Sequence, residues 1–539
     1  TPVSIHTQPR RNSVHSQSRR NLLLATLGGT TLLATGCAVP TAHPPPPSLL
    51  LADAPGDAAR LAWLNRVTWG ASPQDWTRLR EQGLPRWLAG QLHAPPQGKA
   101  TLPPEAQAQI AAMRITREPF VPLALALEDQ RKAADAQPDP EAKRAARQDY
   151  QRALNDLARE TRQRFVLRAL YSPHQLLEQM GWFWANHFNV SLRKANLRAL
   201  LADYEDTAIR PHALGRFRDL LGANLRHPAM LRYLDNAQNA SARINENYAR
   251  ELMELHTLGV GGGYTQADVQ ELARVLTGVG ITFRPLDEAP RLRPQLQADY
   301  RRGGLFEFHP GRHDYGPKTL LGQPLHARGL AEVDEALDRL ARAPATARHI
   351  AAKLATWFVA DTPPPALVQR MAEHFQRSDG HIAAVLEAMF TAPEFAASLS
   401  HKFRDPMRYA IAGVRLAYGE RVIANPDPLL GWINRMGEPL FGHETPDGYP
   451  LTQTAWASAG QMTTRFEIAR ALGANGAVLF RTAPGAPLEK PPYPPLAASP
   501  VVQAWLPTLA PATRAALAEA KNPQDWNSYL LSSPEMMMC

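Results

Sequence analysis

Apolar residues recur at helical spacing along most of the chain. Three segments, ASPQDWTRLREQG, PDPEAKRAARQDYQRALNDLARETRQRFVLRALYS and YTQADVQELARVLTG, combine this spacing with strong helix formers. Ser72 and Thr265 precede two of them as N-cap residues, and Ser172 with Pro173 predicts another helix start before HQLLEQMGWFWANHF. The first half of the longest segment is charged or small, so it is expected to stand partly off the core. The predicted fold class is mostly α, a multi-helix globular domain.

The pattern changes between residues 279 and 322. VGITFRP and GLFEFHPGRHDYGPKTLLG alternate β-prone and polar residues and are rich in Gly and Pro. This stretch predicts a small β-hairpin or loop insertion. Helical spacing resumes after it, which allows two sub-domains, 59–322 and 323–539.

The segment RINENYARELMELHTLGVGGGY, 243–264, has a carboxylate in an unexpected place. On an ideal helix, Glu251 falls inside the apolar arc that includes Ile244, Tyr248 and Leu252. A carboxylate turned toward a protein interior must be compensated. An arginine could do so, and Arg210, Arg216 or Arg218 of a neighbouring predicted helix could supply it. Backbone amides or a metal ion are the alternatives.

The metal alternative has candidate ligands in other sharply patterned blocks. Imidazole and carboxylate together suit zinc, iron or manganese, so the predicted cofactor is a divalent transition metal. Glu251 and Glu254 would then act as base or ligand. The chain has no HExxH and no CxxC motif, and the competing interpretations are core histidines bonded to backbone carbonyls and ordinary turn chemistry. The candidate ligands are His187, His256, His309, His313 and Asp314.

The N-terminal residues have the features of an export signal. Arg19 and Arg20 precede an apolar run from Leu22 to Thr35, typical of twin-arginine export. The run is too short for a transmembrane helix. It ends in LLATGC, which resembles a lipobox except at Ala34, where leucine is commoner, and makes Cys37 the expected lipidation site. A plain cleavage site that precedes a cysteine by chance is the alternative. The predicted divisions are a signal peptide at 1–36, a proline-rich tether at 37–58 and a folded domain at 59–539, held at the periplasmic face of the envelope.

The composition of the chain argues against nucleic acid as a partner and against a disulfide framework. The net charge is +9 over 539 residues, and Arg10, Arg11, Arg19 and Arg20 supply four of these charges. No basic stripe interleaved with aromatic residues occurs, so nucleic acid is not an expected partner. The chain has two cysteines, Cys37 and Cys539, so packing rather than a disulfide framework must stabilise it.

Several long blocks resemble a bacterial family catalogued as domain of unknown function 1800. They include LNRVTWGASPQDW, GWFWANHFNVS, HPAMLRYLDNAQN, NENYARELMELHTLGVGGGYTQADVQELARVLTG, FHPGRHDYGPKTLLG, KLATWFVADTPPP and TPDGYP, in this order. The resemblance implies an exported, largely helical protein and supplies no catalytic residue. It also implies a possible partner, the exported domain of unknown function 1501 family, which resembles phosphatases and sulfatases.

Two functional classes follow from these observations. The first is a non-catalytic scaffold or binding protein of the cell envelope that acts with an exported partner. The second is a metal-dependent envelope enzyme, such as a hydrolase, with Glu251, Glu254 and the histidines lining one pocket. The neighbours of Glu251 in the folded chain discriminate between the two.

Overall fold

Proline begins many of the helices of this chain, which accounts for much of its high proline content. Pro73, Pro140, Pro344, Pro406 and Pro523 each occupy the first turn of a helix. At that position the missing N–H is not needed by the helix and the fixed φ angle is already helical. The prolines therefore set where helices start instead of breaking them.

The computed structural model describes residues 51–95, 102–419, 421–474, 476–481 and 493–539. The predicted signal peptide, with Arg19 and Arg20, lies outside the described residues, as do Cys37 and most of the predicted tether. The first helix begins at Asp57. Among the described residues, no helix combines the length and the apolar composition needed to cross a membrane.

Helices dominate the described residues, which confirms the mostly α fold class. Before the sheet region the helices are α1 Asp57–Val67, α2 Pro73–Gln82, α3 Leu84–Leu92, α4 Pro104–Ala112, α5 Arg114–Arg117, α6 Phe120–Ala136, α7 Pro140–Tyr171, α8 Gln175–His187, α9 Leu201–Asp203, α10 Phe217–Arg226, α11 Pro228–Tyr233, α12 Asn247–Glu251 and α13 Gln266–Val275. After it they are α14 Leu330–Arg342, α15 Pro344–Phe358, α16 Pro365–Arg377, α17 Ile382–Phe390, α18 Pro393–Ser398, α19 Pro406–Tyr418, α20 Asp427–Arg435, α21 Ala459–Ala474, α22 Pro500–Trp505, α23 Pro511–Ala518 and α24 Pro523–Leu531.

Shorter helical segments connect these elements. Two are π-helices, Tyr204–Ile209 and Leu252–His256. The 3₁₀ turns are Leu197–Ala199, Arg210–His212, Asn236–Gln238, Pro294–Asp299, Pro310–Arg312, Gln453–Ala455, Ala477–Phe480, Leu496–Ala498, Leu506–Thr508 and Glu535–Met537.

The predicted helix caps are confirmed at two sites and wrong at a third. The Ser72 hydroxyl accepts a hydrogen bond from the Asp75 backbone N–H, and Thr265 forms a capping box with Asp268. Ser172 does not begin a helix. Its backbone N–H donates to the Arg168 carbonyl at the end of α7, and α8 starts later, at Gln175.

The N-terminal half of α7 is largely exposed, as its composition predicts. The middle of the helix packs on α6 through a small apolar cluster that includes Leu123, Leu127, Tyr150 and Leu154. Only the last turns of α7, from about Arg164, enter the main core. The long helix therefore changes from a solvated hairpin arm to a core helix along its length.

The predicted β insertion is confirmed as two small antiparallel sheets. Strand β3 Phe306–Phe308 lies between β1 Val279–Ile281 and β2 Arg301–Gly303. Strands β4 Thr319–Leu320 and β5 Gln323–Pro324 form a separate pair. The central strand is buried on both faces, and Glu307 in it is neutralised by Arg284 at 2.5 Å.

One apolar core includes residues from both sides of position 322, from Leu61 of α1 to Met537 near the end of the chain. The aromatic helix α8 contributes Trp182, Phe183 and Trp184, all buried. The division into sub-domains 59–322 and 323–539 stays a prediction. The last residue of α8 is His187, one of the predicted metal ligands.

Candidate functional site

The helix that contains Glu251 is not an ideal α-helix. It begins at Asn247, keeps α geometry to Glu251 and then widens into the π-helix Leu252–His256. The Thr257 hydroxyl donates to the Leu252 carbonyl at 2.6 Å and so closes the widened turn. Ile244, which the ideal helix placed in the apolar arc, precedes the helix and is 44% exposed. Glu251 therefore lies at the α-to-π junction, a geometry that is frequent at functional sites.

Glu251 is half-buried, and it forms no hydrogen bond or ion pair with any residue in the described part of the chain. The hypothesis that an arginine compensates it is wrong, because the proposed partners bind other carboxylates. Arg210 pairs with Glu178, Arg216 with Asp379, and Arg218 with Asp334 and Asp338.

The isolation of Glu251 contrasts with the treatment of other carboxylates in this protein. The buried acids Glu178, Glu205 and Glu307 each pair with an arginine. Two of the three charged neighbours that act on Glu251 are acidic instead. Burial raises the pKa of Glu251 and the nearby Glu254 carboxylate raises it further; Arg250 opposes the shift, and the Asp447 charge adds the smallest increase. Proteins place such uncompensated groups where a ligand or a reaction needs them more often than in ordinary structural positions.

Glu254, the other predicted acid, lies one turn further along the same segment. It also has no ion pair among the described residues, and after burial its charge is the next cause that raises the pKa of the nearby Tyr264 hydroxyl. Between the two residues, Gly259 and Gly263 adopt positive φ angles that the sharp turn after the π-helix requires. Val260 at the tip of this turn is 78% exposed.

Asp447 comes from the TPDGYP turn, which helix α8 holds in place. The Asn186 side chain donates to the Tyr449 carbonyl at 3.0 Å and accepts from the Tyr449 N–H at 2.6 Å. Asn189 donates to the carbonyls of His443 and Thr445. Each amide thus replaces backbone partners that the turn lacks.

The Asp447 carboxylate accepts hydrogen bonds from Thr445 at 2.5 Å and from His443 at 3.1 Å. Burial opposes its ionisation, but these hydrogen bonds outweigh burial and lower the pKa of Asp447. Asp447 therefore brings a fixed negative charge to the neighbourhood of Glu251.

Lys353 of α15 is the third charged residue of the site, after Glu251 and Asp447. It is partly buried and has no hydrogen bond or ion pair with the described residues. Burial lowers the pKa of Lys353 to about 8, against the opposing effect of the Asp447 charge. Asp447 is thus the common electrostatic neighbour of Glu251 and Lys353.

Two histidines join α8 and α15 to the end of the π-helix. His187 Nε2 lies 3.1 Å from the His256 carbonyl oxygen, and His349 Nε2 lies 3.1 Å from the Leu255 carbonyl oxygen. Because a carbonyl only accepts, each imidazole donates from Nε2. Burial lowers the pKa of both histidines, so each is neutral and Nδ1 carries no proton. His187 and His349 therefore cap carbonyls that the helix end leaves without partners. For His187, this is the role of a core histidine bonded to a backbone carbonyl.

His256 is different, because it is fully buried and neither ring nitrogen has a hydrogen-bond partner among the described residues. Its ring lies between Phe188 at 4.9 Å and His187 at 5.9 Å, measured between ring centroids. Burial lowers the pKa of His256 to about 3, with the Lys353 charge as the next cause. An unsatisfied buried N–H costs about 1–3 kcal/mol, so His256 weakens the fold locally.

The loop that contains His309, His313 and Asp314 forms structural contacts of its own. His313 Nδ1 lies 2.7 Å from the Thr277 carbonyl oxygen, and its Nε2 lies 3.2 Å from Glu332. Glu332 also binds the buried Lys318 at 2.9 Å. Asp314 pairs with Arg274 at 2.8 Å.

His309 Nδ1 is buried and has no hydrogen-bond partner in the described ranges. Within those ranges no group of three or more His, Cys, Asp or Glu residues could hold a metal ion. The predicted ligands are thus divided between the π-helix end, where His187 and His256 meet, and the 309–314 loop with its own partners. Their role as metal ligands stays a prediction.

Sequence reasoning missed Lys353, His349 and Asp447. Lys353 and His349 are spaced four residues apart on α15, so they share a helix face with the buried Ile350. A lysine and a histidine on an otherwise apolar face are the signal that could have found them. TPDGYP carries no such signal, because it is also an ordinary turn sequence.

Fold and site together define a largely α-helical protein in which a π-helix, the TPDGYP turn and helix α15 supply the charged residues of the site. Of these, Glu251 and Lys353 have no ion pair among the described residues. A family model described as "Protein of unknown function (DUF1800)" matches residues 62–538. The chain therefore belongs to this family, as the sequence resemblance implies. A search of curated proteins and a search of solved structures gave no match.

Proposed function

We propose that this protein is an exported, lipid-anchored binding protein of the cell envelope, and that Glu251, Asp447 and Lys353 form its ligand-binding site. The observation that carries the proposal is that Glu251 and Lys353 have no partner among the residues that the structure describes, whereas buried acids such as Glu178, Glu205 and Glu307 are paired. Charges that the fold leaves unmatched are available to a ligand, and the fold bears their desolvation cost.

The proposed location rests on sequence alone. Arg19 and Arg20 before an apolar run, followed by the lipobox-like LLATGC, support twin-arginine export and lipidation at Cys37. A Cys37→Ser variant expressed in a bacterial host is expected to lose membrane association, whereas Arg19→Lys with Arg20→Lys is expected to stay in the cytoplasm. Cell fractionation with an antibody measures both. Membrane association of the Cys37→Ser chain would contradict the lipid anchor.

The proposed partner is an exported protein of the domain of unknown function 1501 family. The test is the affinity between this chain and such a protein from the same genome, both purified, by isothermal titration calorimetry. The site variant combines Glu251→Gln and Asp447→Asn and is expected to weaken binding at least tenfold. The control is Glu373→Gln, which removes an exposed acid on α16. Equal affinity of the site variant and the wild type would exclude this site as the partner contact.

A catalytic role is the second candidate, because the pKa of Glu251 is raised and that of Lys353 is lowered to about 8. Groups displaced toward neutral pH in this way suit general acid–base chemistry. The metal-dependent form of this hypothesis, a hydrolase with a divalent transition metal, is tested by elemental analysis of the protein purified from the envelope. Stoichiometric metal that is lost in a Glu251→Gln, Glu254→Gln variant would support it.

A further inference from the structure

A second site, independent of Glu251, lies where α2, the start of α4, the end of α7 and α19 meet. These elements enclose a cavity of about 590 Å³. Its walls come from the stretches 72–78, 102–107 and 170–173 and from Arg415 and Gly419. The volume is in the range of sites for small organic ligands.

The floor of this cavity holds a buried ion pair in which one carboxylate oxygen lacks a hydrogen bond. Arg415 is fully buried and donates to Asp75 and to the carbonyl of Gly70 at 2.7 Å. Asp75 is 3% exposed, and its Oδ2 accepts from both Arg415 and the Ser72 hydroxyl. Asp75 Oδ1 is buried and accepts no hydrogen bond from the described residues, although Arg78 lies within ion-pair distance of it. A donor from a ligand would remove a desolvation penalty of about 1–3 kcal/mol.

Polar groups around this acceptor are also available. Arg78 Nη1 lies 3.4 Å from Asp75 Oδ1, and the Arg78 guanidinium makes no hydrogen bond within the described ranges. The exposed Gln107 side chain has no internal partner there either. Gln74 donates to the Gly419 carbonyl at 2.8 Å, which leaves its own carbonyl oxygen open. The cavity therefore offers acceptors and donors side by side.

The remaining wall is apolar. Pro103, Pro104, Pro173 and Tyr171 line it. The Tyr171 hydroxyl is already occupied, since it donates to the Arg421 carbonyl at 3.2 Å and accepts from the Ile423 N–H at 2.9 Å. Its contribution to a ligand is consequently a flat carbon surface.

We propose that this cavity binds a neutral carbohydrate of one or two sugar rings. A hydroxyl both donates and accepts, so neighbouring hydroxyls can donate to Asp75 Oδ1 and accept from Arg78. The C–H face of a sugar ring packs on Tyr171 and the prolines. An anion would face the buried Asp75 oxygen, and a cation would face Arg78 and Arg415. A neutral polyhydroxylated ligand meets neither repulsion.

The test uses the full purified chain and saturation-transfer NMR with three neutral disaccharides: maltose, lactose and N,N′-diacetylchitobiose. Each is supplied at about 10 mM, well above the roughly 1 mM Kd expected for a weak site. We expect saturation transfer to at least one sugar. Arg78→Ala removes a hydrogen-bond donor, and Gln107→Trp fills the mouth of the cavity. Each substitution is expected to weaken sugar binding at least tenfold.

Arg80→Ala is the matched control, because Arg80 is exposed on the same helix and does not line the cavity. Urea unfolding verifies that all variants are folded. The proposal is overturned if none of the three sugars receives saturation transfer, or if the folded Arg78→Ala and Gln107→Trp variants bind like the wild type. It is also overturned if glucuronate binds while the neutral sugars do not.

Discussion

The unpaired lysine at the candidate site predicts that its removal stabilises the protein. Lys353→Met keeps the apolar stem and removes the ammonium group, which has no partner in the described chain. The pKa of Lys353 is lowered to about 8, from an ordinary lysine value of about 10.4. At about 1.4 kcal/mol per tenfold change in proton affinity, this difference bounds the penalty at about 3 kcal/mol. Because the side chain is partly exposed, solvent screening reduces the expected gain to about 1–2 kcal/mol.

The pH dependence of this gain follows from the direction of the pKa shift. Below pH 8 the lysine is charged in both the folded and the unfolded chain, so the folded chain bears the full penalty. As the pH rises from about 8 to about 10.4, the folded chain loses its proton first and the penalty disappears. Lys353→Met is thus expected to raise the free energy of unfolding at pH 7 and to change it little at pH 10.

Urea unfolding at both pH values measures the effect, with Lys402→Met as the matched control. Lys402 is a buried lysine that pairs with Asp361 and donates to the Leu451 carbonyl at 2.8 Å, so its removal is expected to destabilise the protein. A loss of stability in Lys353→Met at pH 7, or a gain of the same size at pH 10, would refute the reasoning that Lys353 is an uncompensated charge.

Three further substitutions test other parts of the structure by the same measurement. Glu251→Gln is expected to raise the free energy of unfolding at pH 7 by up to about 1 kcal/mol. The pKa of Glu251 is raised in the folded chain, so this carboxyl destabilises the fold once the pH exceeds that pKa. At acidic pH the carboxyl is protonated and the gain should vanish. Glu332→Ala should cost about 3 kcal/mol or more, since it leaves the buried Lys318 without its carboxylate, and an effect below about 1 kcal/mol would contradict a buried pair. Gly448→Ala should lower the free energy of unfolding by about 2 kcal/mol or more, because φ of Gly448 is 75° and the added methyl group would lie 2.2 Å from a carbonyl oxygen of α8. Gly90→Ala is the control: Gly90 lies in open space on α3, so this substitution should be neutral or stabilising.

Helical spacing, proline at first-turn positions and cap residues predict the fold class and most helix starts, because these signals depend on neighbours within a few residues. The caps at Ser72 and Thr265 and the β insertion follow from this local chemistry. Ser172 shows the limit. Its Ser-Pro pair has the sequence of a helix start, but the backbone uses Ser172 to end α7.

The candidate site illustrates the other limit. The projection on an ideal helix correctly draws attention to Glu251. The segment from Leu252 to His256 is a π-helix, however, and this wider geometry changes which side chains face the interior. Arginines that were plausible partners by position bind other acids. The acids that act on Glu251 electrostatically are Glu254, in the same segment, and Asp447, almost two hundred residues later. No short sequence pattern shows which of the many charged residues of the chain will lie next to Glu251 in the folded protein.

By itself the sequence determined the helical architecture and the family, because each is encoded in contiguous segments. Only the tertiary structure decided that His187 caps a carbonyl, that Asp314 pairs with Arg274, and that Glu251 and Lys353 have no partner in the described ranges. The physical reason is that compensation of a charge depends on which groups lie within a few ångströms of it, and packing of distant segments alone sets those distances.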